Sequence, residues 1–468
     1  MAVTTTERQA VRAAKTDAFV TVLAAGAALG GLLFGFDTST MNSAMSGIRA
    51  TMGLSSAALG FVAAIALIGC AVGAWFAGPI AARLGRDRVM LLAGLLILVG
   101  SLAVAISREL VPMGCYRFVT GLGIGAASAV VPAYVAEISP PRIRGRLGTF
   151  WQLAIVFGQL IGLLAGLGWT AWAGSESEPI PWGGAAWRWM FVVVGVLAAA
   201  YVLVARALPR SPHDAVRLGH EDEARALLGR IGERSVEPAI AAMRENRKGE
   251  SGFPNLRDLR GHTLGLKRLV WVGILLAAFQ QLVGINVVKT YSNALWQAVG
   301  LATGTAFTAS IVTVLISIAS TIVAIAIMDK VGRRTLLLSG AALMVVSLLA
   351  LVVCFSTAQG SGSELVLERG PGIGALIAMN VFAIAFGVSW GPVMWLMLGE
   401  LFDGNLRTSA VAVCTAVNWM TNWAVTQSFP SLAGVGLSFV YGLYTVFAAL
   451  AFVFALKMLP ETRGRTLR

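Results

Sequence analysis

The chain has 468 residues, 57% of them hydrophobic and only 13% charged. That balance excludes a water-soluble globular protein, because too few polar residues are present to cover an apolar interior. The formal charge of +13 is gathered in the short segments between apolar runs, a distribution that orients a chain in a membrane and argues against nucleic-acid binding.

The N-terminal stretch MAVTTTERQAVRAAKTD is too long and polar to open a cleaved signal peptide, so the first apolar run is expected to remain as an anchor. Crossing a hydrocarbon core of roughly 30 Å takes about 20 helical residues. About twelve runs meet that length, near residues 18–44, 57–83, 88–107, 110–137, 146–172, 187–208, 268–299, 304–328, 335–357, 373–399, 408–430 and 436–458. An all-α membrane protein of twelve transmembrane helices follows. The one long polar insert, 209–267, has apolar positions at helical spacing with charges between them. It divides the chain into a first six-helix half (1–208), a cytoplasmic helical insert (209–267) and a second six-helix half with a short tail (268–468).

Basic residues concentrate on one side: Arg83, Arg86 and Arg88; Arg142, Arg144 and Arg146; the insert; and Lys330, Arg333 and Arg334. The other side keeps Arg49, Arg108, Arg188 and Arg369. This bias places both termini in the cytoplasm, and the excess of arginine over lysine with abundant Ala and Gly suggests the inner membrane of a bacterium. Cys70, Cys115, Cys354 and Cys414 lie in or beside apolar runs without metal-ligand spacing, so they are read as small hydrophobic residues. No metal or cofactor is expected.

The halves repeat one another. AARLGRDR at 81–88 follows the second run and MDKVGRR at 328–334, with Asp329, Arg333 and Arg334, follows the eighth. Glu137 and Arg144 stand seven apart after the fourth run, as Glu400 and Arg407 do after the tenth. Such a duplication is the layout of paired six-helix units related by an axis along the membrane normal. Two readings apply to these loops. Their bases set orientation and meet lipid phosphates, or Glu137 and Glu400 pair with the arginines of neighbouring loops and latch the inner gate when the protein faces outward. Such pairs, at about 1 kcal/mol each, are weak enough to act as a gate that opens and closes.

Two charges fall inside apolar runs: Asp37 in LLFGFDTST and Arg117 in CYRFVTGLGIG. Counting about 1.5 Å per residue from each entry point puts Asp37 about 28 Å and Arg117 about 20 Å from the cytoplasmic side, close enough to meet once helix tilt is allowed. They form either a permanent ion pair between helices or a proton site, in which protonation of Asp37 releases Arg117. His213, His220 and His262 all lie in the insert, so no histidine competes as an intramembrane proton carrier.

PAYVAEISPPRIRGRLG, WRWMF, QQLVGIN, DKVGRR, SWGPVMWLMLGELF and PETRGRTL occur in that order along nearly the whole chain. On these motifs the sequence resembles the sugar porter family of the major facilitator superfamily. The resemblance implies no enzyme chemistry, alternating access by a monomer in the lipid bilayer, and a sugar and a proton as the transported partners, since an aspartate at Asp37 with Arg117 marks proton symporters. A facilitative uniporter is the nearest alternative, a transporter-like sensor a more distant one, and a drug antiporter is disfavoured by the many amides.

The family's sugar ligands map onto Gln152, Gln159, Gln280, Gln281, Asn286, Trp390, Asn418 and Trp419, with Phe34 and Trp395 as apolar wall. Amides donate and accept hydrogen bonds and tryptophan offers a flat face to a sugar ring; taken singly, each amide also suits a plain helix-to-helix bond. Gly284 is expected to break the seventh helix into an outer gate that carries Tyr291. Four departures stand out: Ala82 where the family has aspartate, Arg210 and His213 in the PRSPH that replaces an acid and a base, Asn418 in place of glutamine, and Lys289 with Thr290 before the single remaining lid tyrosine. Lys289 either snorkels to the outer rim or makes a cationic vestibule favouring acidic or strongly polar sugars.

Overall fold

The computed structural model describes residues 5–233, 235–246, 259–298, 301–358, 367–402 and 404–462. In lipid every backbone polar group needs an internal partner, and these apolar runs accordingly form helices. The first half contains α1 (Thr5–Met52), α2 (Ser56–Leu84), α3 (Arg86–Ile106), α4 (Leu110–Ile138), α5 (Pro141–Gly148), α6 (Phe150–Ala173) and α7 (Ala186–Ala207). Three short helices follow, α8 (Pro212–Arg217), α9 (Glu221–Arg230) and α10 (Val236–Asn246), then a strand, β1 (Arg260–Thr263), that folds back on Leu266. The second half contains α11 (Arg268–Leu282), α12 (Ile285–Thr290), α13 (Ser292–Ala298), α14 (Thr303–Val331), α15 (Arg333–Ser356), α16 (Arg369–Val388), α17 (Trp390–Leu401), α18 (Gly404–Ala433) and α19 (Leu437–Lys457).

Among the described residues, 11 helical segments are long and apolar enough to cross a membrane. The twelfth is α18, whose 30 residues reach about 45 Å at 1.5 Å per residue. Asn418, Thr421, Asn422, Thr426 and Gln427 make it less apolar than its neighbours, because it turns a polar side inward to meet α11 and α12.

Close packing of small residues holds the first half together. A Cβ on Gly121 or Gly125 of α4 would lie 1.9 or 2.0 Å from the carbonyl oxygens of Ala66 and Cys70 on α2. Two glycines four apart thus let the backbones touch, which is how helices associate where lipid removes the hydrophobic drive. Arg117 stands one turn before Gly121 and is held in register by that contact.

Two expected helices are interrupted. The run 268–299 breaks at Gly284, which adopts φ 84°, and again at Tyr291; a left-handed residue cannot continue a right-handed helix. The run 373–399 breaks at Ser389, which leaves helical geometry at φ −126° and ψ −89°. Pro392, two residues into α17, explains the second break: it lacks an N–H and its ring excludes the preceding turn.

The two halves meet firmly at the end of the bundle away from the insert. There Gly60 of α2 packs on Pro430 and Gln427 of α18. Asn42 of α1 donates to Ser292 Oγ at 2.9 Å and accepts from the Asn293 amide at 3.2 Å.

Candidate functional site

Arg117 Nη1 donates to Asp37 Oδ1 at 2.6 Å, and each residue is only 3% exposed. The Arg117 guanidinium also lies 5.8 Å from the ring centre of Phe191. This is one hydrogen bond between charged groups rather than a two-pronged clasp, and the Arg117 Nε–H remains unpaired. Loss of the Asp37 charge would therefore weaken the single bond that joins α1 to α4 at this point.

The amides of α11, α12 and α18 form a connected network. Gln280 Nε2 donates to the carbonyls of Trp390 and Gly391 at 3.1 and 3.3 Å, just past the Ser389 break. Gln280 Oε1 accepts from Gln281 Nε2 at 3.0 Å and from Asn418 Nδ2 at 2.8 Å. Gln281 Nε2 also donates to Asn418 Oδ1 at 3.1 Å, and Asn286 Nδ2 donates to Gln281 Oε1 at 2.6 Å. An ideal helix would hold Gln281 and Asn286 about 140° apart, at 100° per residue; the left-handed Gly284 brings them into contact.

The aromatic candidates divide. Trp419 packs edge-on against Phe34 at 5.3 Å across the halves, and its indole N–H is buried without a partner. Trp390 is fully buried and its N–H donates to Leu337 O at 3.0 Å, so it offers no free donor. Gln152 and Trp395 are half-buried and line neither cavity described next.

The short helix α12 separates two cavities. On one side Asn286 and Thr290, four apart and thus on one helix face, line a cavity with Phe34, Asp37, Arg117 and Asn422. On the other, Lys289 lines a second cavity with Ser39, Gln159, Ser292 and Ser310. The seventh-helix lysine is half-buried and faces inward. Its side chain lines this cavity instead of facing away from the bundle. Asn286 and Lys289, three apart on α12, border neighbouring cavities. Tyr291 is 3% exposed, donates from its hydroxyl to Thr426 O at 3.1 Å and stacks 4.9 Å from Phe429.

At the insert end, Arg86 meets Glu137 at 2.7 Å and Asp214 at 3.0 Å, and its backbone N–H donates to Asp214 Oδ2 at 2.7 Å. In the second half Arg333 meets Glu400 at 3.2 Å, and Thr462 Oγ1 donates to Glu400 Oε2 at 2.5 Å. Glu461 accepts from the N–H groups of Arg333 and Arg334, both at 3.0 Å, and caps α15. Arg86–Glu137 lies within the first half and Arg333–Glu400 within the second, while Arg86–Asp214 ties the first half to the insert, so in this conformation these pairs brace each half instead of latching the two together. Arg144 donates to Ser139 O at 3.2 Å, apart from Glu137. The side chains of Asp329 and Arg407 lie outside the described residues.

Sequence reasoning missed Asp214 and Glu461. Asp214 is fully buried and supplies the acid that PRSPH lacks, one turn further along. In the exposed insert, a hydrogen bond from Arg244 holds Glu221 below the usual carboxylate range.

Comparison with known proteins gives a consistent result. The model of the "Sugar (and other) transporter" family matches residues 23–468. The glucose transport protein of Synechocystis sp. is 39% identical over 96% of both chains. The D-xylose-proton symporter of Escherichia coli is 31% identical over 94% of this chain and 93% of its own. Among solved structures, the major facilitator superfamily proton:xylose symporter XylE bound to 6-bromo-6-deoxy-D-glucose matches with a TM-score of 0.82 at 30% identity, over 97% of this chain and 98% of that one. XylE in a partially occluded inward open conformation matches at 0.80 and 29%, over 96% and 100%. The chain therefore belongs to the sugar (and other) transporter family, the sugar porters of the major facilitator superfamily.

Proposed function

We propose that this protein carries a monosaccharide together with a proton across a bacterial plasma membrane by alternating access. The observation that carries the reading is the shared cavity: the Asp37–Arg117 pair and Asn286 line one space, and Asn286 is bonded into the amide network of the second half. Protonation of Asp37 weakens its hold on Arg117. The change is felt where α12 faces α1 and α4, so proton binding and the geometry of the amides are linked. A pH difference supplies about 1.4 kcal/mol per unit, and a membrane potential about 2.3 kcal/mol per charge per 100 mV.

In this reading residues 1–208 and 268–468 rock against each other around the central amides, and residues 209–267 lie on the cytoplasmic face with both termini. The Asn42 contacts with Ser292 and Asn293 then close the outer mouth. Gln159 Oε1 and Trp419 Nε1, both buried and unpaired, take hydroxyls of the sugar, while Gln280, Gln281, Asn286 and Asn418 exchange bonds among themselves for bonds to substrate. Gln152, Trp390, Phe34 and Trp395 shape the surrounding wall. One chain holds both halves of the pathway and acts as a monomer. The relatives named for glucose transport and for D-xylose-proton symport support this substrate class.

The test is counterflow: purified protein in liposomes preloaded with unlabelled sugar should concentrate trace labelled sugar from a panel of hexoses and pentoses, and Gln281→Ala should cut the rate at least tenfold. Absence of counterflow for every monosaccharide in the panel contradicts the reading.

A further inference from the structure

The cavity on the Lys289 side of α12 has no part in the proton pair, and its chemistry is unusual for a space inside a membrane. Among the described residues that line it, Lys289 is the only charged group, and the structure gives its ammonium no ion pair or hydrogen bond. The protons of the neighbouring hydroxyls are committed elsewhere. Ser39 Oγ donates to Gln159 O at 2.8 Å, Ser310 Oγ to Asn293 Oδ1 at 2.6 Å, Thr313 Oγ1 to Ala309 O at 3.1 Å and Ser317 Oγ to Thr313 O at 2.9 Å. Gln159 Oε1 is buried and accepts nothing. The cavity therefore presents one unpaired cation, a buried amide oxygen that accepts nothing, and hydroxyl oxygens whose protons are already committed.

An ammonium drawn into a cavity without a counter-charge is costly, and a neutral hydroxyl recovers less of that cost than a carboxylate does. We propose that this cavity, about 20 Å³ in the present conformation, widens during transport to admit a monosaccharide bearing a carboxylate, a uronate or aldonate, with Lys289 on the acid group and Gln159 Oε1 accepting from a ring or chain hydroxyl. This rests on the reading of the chain as a proton-coupled monosaccharide symporter and names its substrate class. The charge balance is specific: a monoanionic sugar entering with one proton moves no net charge, whereas a neutral sugar with one proton moves one. Nearby Asp37 does not neutralise Lys289, since Arg117 holds it and it lines the other cavity.

The experiment uses the full chain in proteoliposomes under an inward proton gradient, with labelled glucuronate, galacturonate and gluconate beside glucose, xylose and glucose 6-phosphate. The expected result is accumulation of the acids, unaffected by an imposed potassium-valinomycin potential. Lys289→Met should lower the ratio of acid to neutral-sugar uptake at least tenfold, and Lys289→Arg should keep it within about threefold of the unaltered protein, a margin of under 1 kcal/mol. Accumulation of neutral sugars with exclusion of the acids overturns this inference and leaves proton-coupled sugar transport standing. An unchanged ratio in Lys289→Met, or preference for the phosphorylated sugar over the acids, also overturns it. Failure of every sugar, acid or neutral, to accumulate overturns the transport reading itself.

Discussion

Arg210 lies 3.6 Å from Asp87, and the matching positions of the second half carry the opposite charges. Asp87 in GRDR aligns with Arg334 in VGRR, and Arg210 in PRS aligns with Glu461 in PET. In the second half the acid caps the helix start from the tail; in the first half the charges of that contact are exchanged, and Asp214 takes over the cap. Each half thus ties the start of its third helix to the segment that follows its sixth.

The exchange predicts a rescue. Arg210→Glu sets two acids together and should weaken the insert end by about 1 kcal/mol, the scale of a partly exposed pair, with a matching fall in uptake. Asp87→Arg alone should do the same by facing two arginines. The double variant, in the charge order of the second half, should recover melting temperature and uptake. A double variant as weak as the sum of its singles would show that the two residues do not interact.

Gly284 has two reasons to be glycine. Its φ is 84°, and a Cβ there would lie 2.4 Å from the Tyr444 ring. Gly284→Ala should therefore cost about 1–3 kcal/mol in backbone strain alone and pull Asn286 away from Gln281. Differential scanning calorimetry should give a lower melting temperature, and sugar binding should weaken. A variant that melts and binds as the unaltered protein does would show that the helix break is dispensable.

Asn418 joins α18 to both glutamines of α11. Asn418→Ala leaves Gln280 Oε1 and Gln281 Nε2 each short of a partner, and a buried polar group left unpaired costs about 1–3 kcal/mol. Equilibrium binding should show at least a tenfold loss of sugar affinity. Unchanged affinity would place the bound sugar away from this network.

Asn42 reports on the conformational balance. Its two bonds cross between the halves, and at about 1 kcal/mol each their removal in Asn42→Ala should favour opening at that end roughly fivefold to thirtyfold. Spin labels at the exposed positions Ser56 and Val435 should then report longer distances. A distance distribution unmoved by Asn42→Ala would mean that other contacts keep the mouth shut.

What the sequence disclosed follows from the cost of polar groups in lipid. Asp37, Arg117, Gln280, Gln281, Asn286 and Asn418 were each conspicuous because none is stable there without a partner, and the structure pairs all of them. Asn42 obeyed the same rule and was overlooked because a lone amide among serines and threonines looks like a helix end. Asp214 was hidden for a different reason: its role depends on closeness to Arg86, 128 residues away, which no local motif encodes. Which cavity Lys289 joins was beyond periodicity, since a left-handed residue at Gly284 resets the phase of everything after it relative to Gln281. At Ser389 the signal was present in Pro392 but was absorbed into a long apolar run.

In the proposed cycle Asp37 couples the proton to the sugar, and Asp37→Asn in proteoliposomes separates the two. The substitution removes the titrating group while preserving shape. With an inward proton gradient, unaltered protein should accumulate sugar above the external concentration, whereas Asp37→Asn should only equilibrate it and retain counterflow. Accumulation by Asp37→Asn equal to that of the unaltered protein would mean that Asp37 does not couple the proton to the sugar.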